Sequence, residues 1–499
     1  MHHKHIKNEV ITQLKKEFPN WKRIPKKMKK DIANKVLKEI VDGYDFKQEI
    51  STPVEKLLGI ESQIPEKGII KLDKMAEYIE KIHSDRILKF SNYDRSEIYI
   101  KDKELQFVDQ IIDDRAINTM LSYDGYSPAQ RDVLPCHLLR AELLKAIKYP
   151  EISYRKFCTK EYLGLERKQN RVFIGFPLHM GTMIDHTQLS KFRSSLNFVQ
   201  QINLLVYFLH YFHQSDLLGD CTICGVDSTE LANDCKVPLA SIKIKGKKIR
   251  IYGDLDCDCG ARRNKRDKSV YVVGYRLHTL TVIDAQSKQS FPLVSLLAPA
   301  NHHDSLFLPF LVKLAQSMGL EINLVTADEA YHDKDGSLFE KTGVTVVAPP
   351  SVNVKSPENV DPETGKVFCH NECEIPMQHI GNEDLDLEYK CNAEPGQCQY
   401  SEICSHSRFV QMDQGMFQRI PFTSKGLSDA LDIRKNCERS FNLLKNQAGL
   451  ETIRVRSQHS TMARCTFSTI AVLLIKMAGN RKKRKIVKEP MHLLERAAA

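Results

Sequence analysis

The sequence predicts an α/β protein whose mixed sheet has flanking helices, is preceded by an all-helical region and is interrupted by a cysteine-rich insertion. Three observations carry that expectation. Up to about residue 215 the apolar residues recur at helical spacing. After "SDLLGD" the chain changes to short apolar or alternating runs bounded by Gly, Pro, Asp and Ser. Five cysteines then cluster between residues 351 and 417. With 499 residues, 42% apolar and 27% charged, the chain is long enough for a sizeable core and two or three domains.

Residues 1–110 form a basic helical region, with "IANKVLKEIVDGY" and "KMAEYIEKIHSDRIL" as its periodic stretches. Trp21, the only tryptophan, is assigned to packing. Residues 111–215 continue as helix, as in "CHLLRAELLKAIKY". Residues 216–478 form the α/β domain. Its strands are "CTICGVDST", "KIRIYGDL", "SVYVVGYRLHTLTVIDAQ", "SFPLVSLLAPA", "INLVTADEA" and "VTVVAPP", and the third and fourth make a long hairpin turning at "AQSKQ". The helix "SLFLPFLVKLAQSMG" precedes the next strand, and a strand–helix–strand order implies a mixed sheet. The insertion spans 351–417, after which a helix over 432–445 and a second in "STMARCTFSTIAVLLIKMAG" close the domain. Residues 479–499 are a basic tail. No internal repeat is present.

The net charge of +10 is terminal: residues 1–50 carry 13 Lys/Arg against 7 Asp/Glu, and residues 476–499 carry 8 against 2. Segments such as "KRIPKKMKKDIANK" and "NRKKRKIVK" would attract a polyanion, most commonly nucleic acid, although a basic run is often only a solvated face. No apolar run reaches the roughly 18 residues of a membrane span, and the N-terminus lacks the apolar stretch of a secretory signal. Fourteen scattered cysteines suit a reducing compartment, so a cytoplasmic protein associated with DNA in the nucleoid is expected, with no membrane partner.

The helix "DIRKNCERSFNLLK" sets one acid, Glu438, among Arg434, Arg439 and Lys445. At about 100° per residue, positions 434, 438 and 445 share a narrow stripe, and Cys437, Phe441, Leu444 and Ala448 form the adjoining apolar arc. The plain alternative is a solvated face with i,i+4 pairing of Arg434 and Glu438. Two further acids stand where strands should end, Asp227 in "CTICGVDST" and Asp328 in "INLVTADEAYHD". Carboxylates from neighbouring strands and a crossing helix repel one another unless they hold cations, and hard oxygen ligands suit Mg²⁺ or Mn²⁺. Two such ions about 4 Å apart serve phosphodiester cleavage. Glu329 competes with Asp328. Asp220, Asp254, Asp256 and Asp284 compete with Asp227, which could also be a turn or cap residue.

These residues resemble the insertion-sequence transposases with a DDE triad on a ribonuclease-H-like fold, in particular the group with a Tyr-x2-Arg-x3-Glu-x6-Lys motif. Arg434, Glu438 and Lys445 fit that spacing, while the Tyr position is Leu431. "GVDSTEL", "VGYRLHTLTVID", "LLAPANHHDS", "TADEAYHD" and "GLETIRVRSQHS" are also similar, so the resemblance covers residues 220–475 and extends weakly over "YSPAQRDVLPCHLLRAELLKAI". It implies Asp227, Asp328 and Glu438 as catalytic ligands of two Mg²⁺ (or Mn²⁺) ions and Arg434 and Lys445 as DNA contacts. It implies residues 111–215 as an N-terminal DNA-binding region, and a transposase that binds terminal inverted repeats as a homodimer on paired double-stranded DNA ends. Such an enzyme cleaves the ends and joins them to target DNA. The alternatives are a nuclease on the same fold that does not join, and a non-catalytic, domesticated DNA-binding protein.

Cys369, Cys373, Cys391, Cys398 and Cys404 have the composition of a zinc site without its regular spacing, so zinc competes with free thiols there. Cys221 and Cys224 are assigned to core packing, and His302 and His303 to loop and cap positions.

Overall fold

The computed structural model describes, with short gaps, residues 10–45, 68–84, 100–121, 133–263, 269–283, 290–331, 337–348, 359–411 and 425–484. Among the described residues, regular structure before residue 215 is helical, its main helices being α1 (Lys26–Asp45), α2 (Met75–Ser84), α3 (Lys103–Ile111), α4 (Asp114–Met120), α5 (Pro135–Lys148), α6 (Lys168–Ile174), α7 (His186–Ser195) and α8 (Phe198–Gln214). Local chemistry starts these helices. Asp102 and Asp113 accept the first free N–H groups of α3 and α4, Pro135 opens α5, and Asp185 and Asn197 form capping boxes with Gln188 and Gln200 ahead of α7 and α8. Every residue of α8 from Gln201 to Phe212 is buried, so this helix is surrounded by others.

The sheet follows: β1 (Ile223–Ala232), β2 (Ala240–Ile244), β3 (Lys247–Ile251), β4 (Asp258–Arg263), β5 (Ser269–Ile283), β6 (Ser290–Pro299), β7 (Leu324–Thr326) and β8 (Thr345–Val347). Its order is β4-β5-β1-β7-β8, with β6 also paired to β5, and β2–β3 form a separate hairpin. It is mixed. β1 runs antiparallel to β5 and parallel to β7, and β7 runs parallel to β8. The expected β5–β6 hairpin is present, its turn at 284–289 lying outside the described residues. Two helices, α9 (Leu308–Ser317) and α10 (Ser337–Thr342), make the crossovers to β7 and β8.

Two further helices complete the layers. α11 (Lys425–Asn442) lies against β1, β5 and β6 and continues as a π turn, Leu443–Gln447, while α12 (Gln458–Arg484) packs on β6 and against α5, α7 and α8. One apolar core therefore runs from Ile69 to Ala478 and crosses residue 215 without a break. α12 also corrects the sequence reading. Gln458–Gly479 is long and apolar enough to cross a membrane, because the helix extends the apolar run with Ser, Thr and Met, but 83% of that window is buried inside the molecule. It is a core helix.

The N-terminal helix is docked too. Ile32, Ala33 and Val36 of α1, with Val10 and Leu14, pack on Ala240, Ile249 and Ile251 of the β2–β3 hairpin, and Trp21 joins that cluster as expected. Between β8 and α11, strands β9 (Gln378–Glu383), β10 (Asp386–Lys390) and β11 (Ser407–Gln411) form their own antiparallel sheet over a small core of Val360, Val367, Met377, Leu387, Tyr389 and Val410. The tail beyond Arg484, Asp220 and Asp284 lie outside the described residues.

Candidate active site

The β1–β7 pairing ends at Gly225↔Thr326. Asp227 and Asp328 each lie two residues further on: alternation puts Asp227 on the same face of β1 as Gly225, and Asp328, just past the end of β7, is close enough for its charge to act on Asp227. Asp227 does not end its strand, as the sequence suggested; β1 runs on to Ala232 against β5, with Asp227 opposite Thr279. The acid instead marks where β1 outlives its parallel neighbour.

Gly225 shows what covers this face. A Cβ on it would lie 2.1 Å from Cys437 Sγ, so α11 rests directly on the strand, and any side chain at 225 would push the helix away. Cys437, Phe441, Leu444 and Ala448 are buried, as the apolar arc predicts. Burial and then the charge of Asp227 push the Cys437 thiol up to about 12, with Arg434 and Glu438 also acting on it. One turn of α11 therefore sets Arg434 and Cys437 beside Asp227.

Asp227 is half-buried and accepts the Ser228 N–H at 2.7 Å. Burial raises its pKa to about 6; the Asp328 charge adds to the rise, and Arg434 opposes it. Asp328 is raised as well, first by burial and then by a carboxylate the sequence reading missed, Asp304, while Arg434 again opposes the shift. Asp328 accepts the Ala330 N–H at 3.1 Å and is half-buried, whereas Glu329 is exposed. Asp304 sits in the turn before α9, held by Arg276 at 2.8 Å, and Arg276 also reaches Glu230 at 3.6 Å. The signal for Asp304 was present in "NHHDS", where an acid ahead of an apolar helix reads equally well as a cap.

The structure thus brings together Asp227, Asp328 and Arg434, with Asp304 behind them. Glu438 lies on the same turn of α11, exposed, next to Cys437 in the chain and not gathered with the two aspartates. Lys445 departs from the predicted stripe: the wider π turn carries it off the α-helical phase, and it is 3.8 Å from Glu451. Asp254 is excluded from the site, since it is buried in a knot with Asn233, Tyr275 and the Ser457 N–H. Asp256 accepts the Gln458 N–H at the start of α12. Cys221 and Cys224 are buried in the core.

Half-buried carboxylates raised in pKa first by burial and then by neighbouring acids are short of positive charge, and their hard oxygens fit Mg²⁺ or Mn²⁺ better than a softer ion. Among the described residues they are not gathered as tightly as the insertion's thiols, where Cys369, Cys373 and Cys398 alone form a group of three ligand atoms within 4.8 Å of one another.

Fold and site define an α/β protein with an acidic cluster, flanked by Arg434 and Arg276, on a mixed sheet covered by a helix. No family model matches the chain, and no curated protein matches it. Among solved structures, it is similar to a piggyBac transposase in a cryo-EM structure of its synaptic complex with hairpin DNA, over 87% of this chain and 80% of that one, at 9% identity and a TM-score of 0.30. A likeness of that size assigns no chemistry here, and the functional reading rests on the residues.

Proposed function

We propose that the chain is a DNA transposase of the DDE type on a ribonuclease-H-like catalytic domain. The observation that supports it is the convergence of Asp227 on β1 and Asp328 just past its parallel neighbour β7, with Arg434 of α11 acting on both. Asp227, Asp328 and Glu438 would hold two Mg²⁺ or Mn²⁺ ions, which supply charge for the attacking and leaving oxygens of phosphodiester cleavage. The protein's own part is to position and to balance. Arg434 partly offsets the burial of the two aspartates and would offer its guanidinium to the DNA phosphate, while Lys445, off the stripe, would leave Glu451 to make a second contact. The Arg276–Asp304 pair backs the cluster, its arginine offsetting the fourth carboxylate.

The substrate would be double-stranded DNA carrying the element's terminal inverted repeats, bound as a homodimer on paired ends. The test is to sequence the DNA on either side of the coding region for short inverted repeats and to incubate oligonucleotides bearing them with the protein, Mg²⁺ and a target plasmid; absence of such repeats would count against a transposase. Cut 3′ ends joined to the plasmid support a transposase. Cutting without joining assigns a nuclease, and binding without cutting a DNA-binding protein.

A further inference from the structure

The insertion holds a set of thiols that the acidic cluster does not use. Cys369 and Cys373 precede β9, and Cys398 and Cys404 lie between β10 and β11. The register Lys390↔Gln378 and Lys390↔Ser407 brings the start of β9, the end of β10 and the start of β11 to one end of the small sheet. All four cysteines therefore come from loops at that end. Cys373 Sγ is 3.9 Å from Cys398 Sγ, and Cys369, Cys373 and Cys398 lie within 4.8 Å of one another. Cys369 also contacts Cys404. Four sulfurs around one tetrahedral ion at a Zn–S distance of about 2.3 Å stand about 3.8 Å apart. A disulfide would need about 2.05 Å, and all five cysteines of the insertion are free thiols.

We propose that Cys369, Cys373, Cys398 and Cys404 bind one structural zinc ion as a tetrathiolate, and that Cys391 takes no part. Spacing supports this choice. With Cys391 included the cysteines are irregular; without it they fall into two pairs, separated by three and by five residues, on either side of a 24-residue span. Cys391, like Cys369, touches the small apolar core, but its sulfur is not among the three gathered within 4.8 Å. The backbone is arranged to support thiolates: the His406 N–H donates to Cys404 Sγ at 3.3 Å across a turn in which His406 takes a φ of 59°. His370 stacks on Tyr400 with ring centroids 4.6 Å apart, fixing one cysteine pair against the other. The need is energetic as well, because a core of six buried apolar residues is too small to order this sheet and its loops alone.

Elemental analysis of the full-length protein, purified without chelator, tests the site. One zinc per chain is expected, retained in Cys391→Ser and lost in Cys398→Ser and Cys404→Ser. Because a ligand variant can misfold, cobalt-substituted wild-type protein supplies a second reading, whose absorption should show the charge-transfer bands of four thiolates. Wild-type protein without zinc, iron in its place, zinc retained in Cys398→Ser, or a cobalt spectrum of fewer than four thiolates each overturns the proposal.

Discussion

Buried charge decides most of what single residues do in this chain. Lys145 of α5 is 3% exposed, with Glu142, Arg193, Arg464 and Glu151 around it, the Tyr154 ring 4.8 Å away and the Pro150 carbonyl 3.2 Å from Nζ. Burial and then Arg464 lower its pKa to about 7. The folded value lies below the unfolded one, so between about pH 7 and 10 the unfolded chain binds more protons and stability rises with pH. Lys145→Met should remove that slope, flattening the denaturation free energy between pH 7 and 9 by up to about 1 kcal/mol per pH unit relative to wild type; parallel curves would mean that Lys145 is not titrating there. Arg434 is the matching case at the site. A helical wheel of its own helix pairs it with Glu438, yet it acts on Asp227 and Asp328, which are 207 and 106 positions away in the chain. Arg434→Ala should lower DNA cleavage by about 10- to 100-fold while the protein still binds Mg²⁺. Lys435, exposed and paired with Asp432 at 2.7 Å, is the control, and Lys435→Ala should change stability by no more than about 0.5 kcal/mol and cleavage not at all. Equal effects at 434 and 435 would make the stripe ordinary surface.

At the scale of elements, what the sequence made legible was periodicity. The β5–β6 hairpin, α9, α12 and the buried arc of α11 follow from alternation and 3.6-residue spacing, which each segment carries in itself. What it hid was contact between segments: Asp304 behind Asp328, the docking of α1 on β2–β3, and the π turn that moves Lys445 off its stripe. No local pattern encodes these. The packing of α11 on β1 is the contact on which the site depends, and Gly225 permits it. Gly225→Ala should cost about 1–3 kcal/mol and disturb cleavage, because the new methyl meets Cys437 Sγ. Adding Cys437→Ala removes that sulfur, so the double variant should regain part of the loss despite the small cavity made. Strictly additive losses would show that the two elements do not meet there.

For the molecule as a whole, one core joins the helical region to the sheet, and basic charge is concentrated at the two ends. If those ends supply general DNA affinity through counterion release, deleting residues 481–488, which carry six Lys/Arg, should weaken binding to all sequences alike and flatten its salt dependence. An unchanged salt slope would make the tail a bystander. In the proposed site three acids separated by 101 and 110 positions in the chain act as one metal-holding set. The direct measurement is Mg²⁺-dependent cleavage of DNA bearing the inverted repeats by Asp227→Asn, Asp328→Asn and Glu438→Gln, alongside their affinity for the same DNA. Each substitution removes a proposed metal ligand and a charge that repels phosphate, so all three should lose cleavage while binding DNA as well as wild type or more tightly. Near-normal cleavage by any one of them would contradict that set.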